Sequence, residues 1–148
     1  MTVNAMPALG FASQTLSKET MAIEREADIV HVRKRARALA QARGFDAFAC
    51  AALTTAASEL ARNVWVHGGG GEATLEELSD GARFGIRLVF RDHGPGIADL
   101  DRALRGGYST ARSLGLGLSG TRRLVEDFEV ESRPGEGTCV TITKWARF

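Results

Sequence analysis

Cysteine, proline and charge of one sign are all scarce in this 148-residue chain. Its two cysteines, Cys50 and Cys139, have no close cysteine or histidine neighbour of the kind that C-x-x-C metal or redox sites need. Both read as buried thiols. Nineteen Lys and Arg against eighteen Asp and Glu leave a formal charge of +1. So weak a field argues against nucleic acid or an anionic membrane as the main partner. No run of about 18 apolar residues is present to span a bilayer. Residues 1–17 lack the charged start, apolar stretch and small-residue cleavage site of a signal peptide, so a cytoplasmic location is expected.

What remains is an ordinary globular composition, 44% hydrophobic and 25% charged, of a length suited to one domain. Glycine is the exception. Seventeen are present, seven of them between Gly94 and Gly120, so that region requires unusual backbone.

Residues 1–17, rich in Ala, Ser and Thr and without period, are expected to form a loose tail ahead of a single domain over 18–148. Alternation over 19–24 suggests a short edge strand. From Ala27, apolar Ile29, Val32, Ala36, Leu39 and Ala40 recur at helical steps until Gly44 stops them. On this helix His31, Arg33, Lys34, Arg35 and Arg37 read as a solvated face rather than a contact patch. Asp46 is placed to cap a second helix with the stripe Ala49, Ala52, Leu53, Ala56, Leu60 and Val64, ending at the 68–71 glycine run. Strands are expected over 72–78 and 84–92, a short helix over 98–104, a polar loop over 105–113 and a helix over 116–126. Strands over 128–132 and 138–144 flank the turn Pro134-Gly135-Glu136-Gly137. The order lacks regular βαβα alternation. The expected fold class is therefore an α+β two-layer sandwich, with helices on one face of a mixed, mostly antiparallel sheet.

Four segments carry chemistry. Glu59 and Asn63 lie four apart on the second helix and share a ridge beside its apolar stripe; they either pair with each other or point into a cleft. Asp92-His93-Gly94-Pro95-Gly96 follows an apolar strand. It is a tight turn on its own terms, and also a place where a carboxylate can accept from an exocyclic amine while glycines admit a flat ring to the backbone. Gly115-Leu116-Gly117-Leu118-Ser119-Gly120 matches G-x-G-x-x-G, but the polar loop before it makes a poor strand, so the dinucleotide reading fails. Glycines opening a helix still expose backbone amides suited to phosphate. Gly135-x-Gly137-Thr138 completes the series.

In this order the segments resemble the four nucleotide-binding boxes of the GHKL ATPase superfamily, which includes histidine kinases, gyrase, Hsp90-type chaperones and anti-sigma factor kinases. The likeness spans about 19–147. Ser58-Glu59-Leu60-Ala61-Arg62-Asn63, Asp92 to Ile97, Gly107-Tyr108-Ser109-Thr110, Gly115 to Gly120 and Thr143-Lys144-Trp145 are most similar to the RsbT-type switch kinases of bacterial stressosomes. That resemblance implies ATP and Mg²⁺ as cofactors, with Asn63 holding the metal and Glu59 acting as general base. It also implies that Asp92, with Gly94, Gly96 and Ile97, reads adenine, and that Thr138 supports the adenine pocket. Gly107, Ser109 and Thr110 would belong to a lid, and backbone amides around Gly115, Leu116, Gly117 and Leu118 would cradle the phosphates. Arg112, Ser113 and Ser119 depart from the pattern, standing where glycine and proline are expected.

The implied activity is an ATP-dependent protein serine/threonine kinase acting on STAS-domain proteins and, when released, binding and activating a PP2C-type phosphatase. Two alternatives stay open: an anti-sigma factor with kinase activity that sequesters a sigma factor, and a nucleotide-dependent binding module without significant catalysis.

Overall fold

The computed structural model describes residues 2–4, 13–105 and 117–146. Ten elements follow one another: β1 (Thr2–Asn4), β2 (Gln14–Ile23), α1 (Ala27–Ala42), α2 (Ala47–Val66), β3 (Gly71–Ser79), β4 (Phe84–Asp92), α3 (Leu100–Arg105), α4 (Gly117–Arg122), β5 (Asp127–Arg133) and β6 (Gly137–Trp145). The strands form one six-stranded sheet in the order β1-β5-β6-β4-β3-β2, and each of its pairings is antiparallel.

Period-two patterning decides which face is covered. Ile86, Leu88 and Phe90 of β4, Val140 and Ile142 of β6, Phe128 and Val130 of β5, and Ala73 and Leu75 of β3 are all buried in one core. Against them α2 sets Leu53, Leu60 and Val64 together with Ala49, Ala56, Ala57 and Ala61, small residues that let the helix lie close to the sheet. Asp46 caps α2 by accepting from the Ala49 amide at 2.7 Å, a contact whose loss costs about 1 kcal/mol.

The opposite face is polar and paired. Arg87 donates to both carboxylate oxygens of Glu76, at 2.7 and 3.2 Å. Trp145 lies over Gly85, its indole N–H donates to Asp127 at 3.2 Å, and the Arg83 guanidinium stacks 4.7 Å from the ring centroid.

The structure departs from the sequence reading in four places. Residues 14–17, expected as tail, begin β2, and Thr2–Asn4 pair with β5 in the register Val3↔Val130. The segment 14–17 has no inward apolar alternation of its own; Gln14 to Ser17 are exposed, and their pairing with β3 is interrupted by a bulge between Thr15 and Ser17. The expected mixed sheet is antiparallel at every pairing described. The fourth helix ends at Arg122 rather than 126, where Arg123 and Leu124 donate instead to the carbonyls of Gly120 and Thr121 in tighter turns. Cys139 is half-buried on the polar face, opposite Arg91, while Cys50 is buried as expected.

Candidate nucleotide-binding site

Helix α2 brings Glu59 and Asn63 to one ridge, a single turn apart, next to the buried Leu60 and Val64. Glu59 Oε2 and Asn63 Oδ1 are sequestered from solvent, and neither has a hydrogen-bond partner among the described residues. Leaving a buried polar atom unpaired costs about 1–3 kcal/mol, so two on successive turns of one helix single out this ridge as a candidate ligand site. Both are hard oxygens, the donor type that Mg²⁺ takes, and Mg²⁺ ordinarily uses one or two protein oxygens beside phosphates and water. No cluster of three or more His, Cys, Asp or Glu suited to a metal occurs among the described residues.

The end of α2 leads directly to the next box. The Asn63 carbonyl accepts from the amides of both His67 and Gly68, turning the chain so that Gly68 meets the end of β4. A β-carbon on Gly68 would collide with the Asp92 side chain, and one on Gly94 would lie 2.7 Å from Gly68 Cα. Only hydrogen at both positions permits this approach. Asp92, inward-facing like Phe90 two residues earlier, accepts from the Gly94 amide through Oδ1 at 2.9 Å, an Asx turn that fixes the carboxylate. His67 is pushed below its ordinary pKa, first by burial and then by Arg62, with Asp92 pulling the other way.

From the far side the β5–β6 hairpin closes on the same segment. Gly137, at φ +95, passes against the Asp92 and His93 backbone where a side chain has no room, and Gly135 N–H donates to the Pro95 carbonyl at 2.7 Å. Gly96 packs likewise on the Arg133 carbonyl. The Ile97 amide donates to Ser132 Oγ at 2.8 Å, and Ser132 Oγ lies 2.9 Å from Thr138 Oγ1. Asp92, Gly94, Gly96, Ile97 and Thr138 are thus held together by hydrogen bonds and close backbone packing, and Gly68 packs the end of α2, which carries Asn63, against Asp92 and Gly94. A cavity of about 290 Å³ is lined by Asp92, His93, Ser132, Gly137 and Thr138 and extends toward Arg91 and Cys139. It does not reach Glu59 or Asn63.

Gly117, at φ +63, opens α4, and Leu118 turns into the core with 7% of its surface exposed. Gly107, Ser109, Thr110, Gly115 and Leu116, together with Arg112 and Ser113, lie outside the described residues. Sequence reasoning missed Ser132 and Gly68. Ser132 was detectable: after Phe128 and Val130 it is the next inward position of β5, and a hydroxyl there breaks an apolar alternation.

Residues 23–144 match the family model of the histidine kinase-like ATPase domain. The chain is 40% identical over 122 residues to the serine/threonine-protein kinase RsbT of Bacillus subtilis, covering 82% of this chain and 92% of that one. It is 32% identical over 99 residues to an anti-sigma F factor of a Thermoanaerobacter species, covering 63% of this chain and 68% of the relative, and 28% identical over 102 residues to an anti-sigma F factor of Heyndrickxia coagulans. With the helix, carboxylate turn and glycine hairpin in the order that the four boxes require, this chain belongs to the histidine kinase-like ATPase family.

Proposed function

We propose that this protein moves the terminal phosphate of Mg²⁺-bound ATP to a serine or threonine of a STAS-domain protein and, once released from that partner, binds and activates a PP2C-type phosphatase. The kinase class itself follows from the identity shared over nearly all of a serine/threonine-protein kinase, and use of ATP from the family. The STAS partner, the phosphatase, the stressosome setting and a cytoplasmic location are the finer reading. No helix among the described residues is long and apolar enough to cross a membrane.

The single observation that carries the mechanism is the pair of unpartnered oxygens, Glu59 Oε2 and Asn63 Oδ1, on one helix ridge. Asp92, with Oδ1 committed to Gly94 N–H, offers Oδ2 to the adenine amine. Gly94 and Gly96 let the turn that carries this carboxylate close against Gly68 and Arg133. Asn63 Oδ1 would hold the Mg²⁺, which supplies charge neutralisation for the transferring phosphoryl group. Glu59 Oε2 takes the proton of the substrate hydroxyl as that oxygen bonds to the terminal phosphorus and the bond to the ADP oxygen breaks. Positioning and proton removal are the protein's share in such a transfer.

Incubating the protein with γ-labelled ATP, Mg²⁺ and a STAS-domain protein encoded beside it tests the proposal. Label on a serine or threonine of the partner supports it. ATP binding without transfer to any partner would leave only a nucleotide-dependent binding module. The similarity to anti-sigma F factors favours a second reading, in which the protein sequesters a sigma factor; co-purification with a sigma factor distinguishes the two.

A further inference from the structure

We infer that Gly68 is a specificity-determining positioning residue: its bare α-carbon is the wall on which the Asp92 side chain rests, and it keeps that carboxylate in the place from which it reads an exocyclic amine. The inference rests on the reading of Asp92 as the base-facing residue.

Gly68 is not a glycine for the sake of its backbone. Its φ lies outside the positive range that Gly69 and Gly70 adopt, at +74 and +111, so φ excludes no L residue there. What excludes a side chain is space. A β-carbon on Gly68 would lie 2.4 Å from both Cβ and Cγ of Asp92 and 2.7 Å from the Val64 carbonyl oxygen. One residue on, a β-carbon on Gly69 meets nothing within 4 Å. The collision thus belongs to the one position that faces Asp92. Helix α2 fixes this wall, because the Gly68 amide donates to the Asn63 carbonyl at 3.1 Å and the Gly70 amide to the Val64 carbonyl at 2.9 Å.

Asp92 is bounded on its other sides as well. Gly71 pairs with it in the β3–β4 ladder, and a β-carbon on Gly137 would stand 2.2 Å from its carbonyl oxygen. Its Oδ1 accepts from the Gly94 amide at 2.9 Å. With the backbone held by strand and hairpin, side-chain torsions are the freedom that remains, and these are confined to a few staggered wells. A methyl group on residue 68 meets Cβ as well as Cγ. Either χ1 leaves its well or the turn moves away from α2, and both take Oδ1 off the Gly94 amide. The phosphates are not read by Asp92, so the loss falls on the amine. Gly68 touches no nucleotide in this scheme and acts through Asp92.

Affinities for ATP and for purine riboside triphosphate, which is ATP without its 6-amino group, test the inference by calorimetry with Mg²⁺ on the full chain. The parent is expected to prefer ATP at least about tenfold, the scale of a hydrogen bond to a charged group, and Gly68→Ala to bring that preference below about threefold by weakening ATP. Gly69→Ala disturbs the same loop with open space around its methyl and should keep the parental ratio; a loss as large as that at Gly68 would overturn the inference. In an Asp92→Ala background, adding Gly68→Ala should leave the ratio where it is. If Gly68→Ala melts without cooperativity, pairing it with Asp92→Gly, which removes both side-chain atoms that the methyl meets, should restore a cooperative melt. A double variant that stays unfolded would overturn the inference. Equal weakening of both nucleotides by Gly68→Ala, or a parental ratio, would overturn it alone and leave Asp92 as the base reader. No preference in the parent, or a preference that Asp92→Ala leaves intact, would overturn the base-site reading and the inference with it.

Discussion

Gly68 and Gly94 touch through their backbones: a β-carbon on Gly94 would stand 2.7 Å from Gly68 Cα and 2.9 Å from its carbonyl oxygen. This contact joins the end of α2 that carries Asn63 to the turn that fixes Asp92. Neither neighbour is a flexible side chain tip, so a methyl group there forces backbone apart.

Gly94→Ala is therefore expected to destabilise the protein by about 1–3 kcal/mol, the usual range for overpacking, and to weaken ATP binding by displacing the Asp92 turn. Thermal melts and calorimetry check both. A parental melting temperature with parental ATP affinity would mean that the approach is looser than described.

Asn63→Ala removes an oxygen that makes no hydrogen bond among the described residues, so the unliganded protein should melt within about 1–2 °C of the parent, as for a substitution that breaks no named contact. The gain in ATP affinity on adding Mg²⁺ should nevertheless largely disappear. A lower melting temperature with the Mg²⁺ effect intact would assign Asn63 a structural role instead.

Glu76 and Arg87 supply a pH signature on the polar face. The Arg87 hydrogen bonds hold the Glu76 carboxyl below its ordinary pKa of 4.5, against burial, with the Arg87 charge and then Lys18 adding to the effect. A lowered folded-state value contributes stability above the unfolded pKa and loses it as pH falls through the folded one. Glu76→Gln should thus cost about 1 kcal/mol at pH 6–7, modest because Arg87 is about one-third exposed. The gap to the parent should shrink only below about pH 4.5. Urea melts of both proteins across that range check it; a gap independent of pH would show that shape, not charge, is lost.

Where local chemistry governs, the sequence was enough. Asp46 and the alanine-rich stripe define α2, and Gly94-Pro95 ends β4 at Asp92 where expected. Where a partner strand governs, it was not: β1 and residues 14–17 owe their conformation to β5 and β3 and carry no apolar pattern themselves. The site divides in the same way. Glu59, Asn63 and Asp92 stand out by residue type and order. The Gly68–Asp92 approach and the Ser132 link depend on segments distant in sequence meeting in space, and no spacing rule encodes them.

Glu59→Gln tests the central claim most directly, because it keeps the side chain's shape and removes the proposed base at an oxygen that has no partner among the described residues. ATP affinity and label transfer to a STAS-domain partner should be measured on the same preparation. The account predicts nucleotide affinity within about threefold of the parent and transfer reduced by about 10²-fold or more, the scale of general base catalysis. Transfer within a few-fold of the parent, at unchanged affinity, would contradict it.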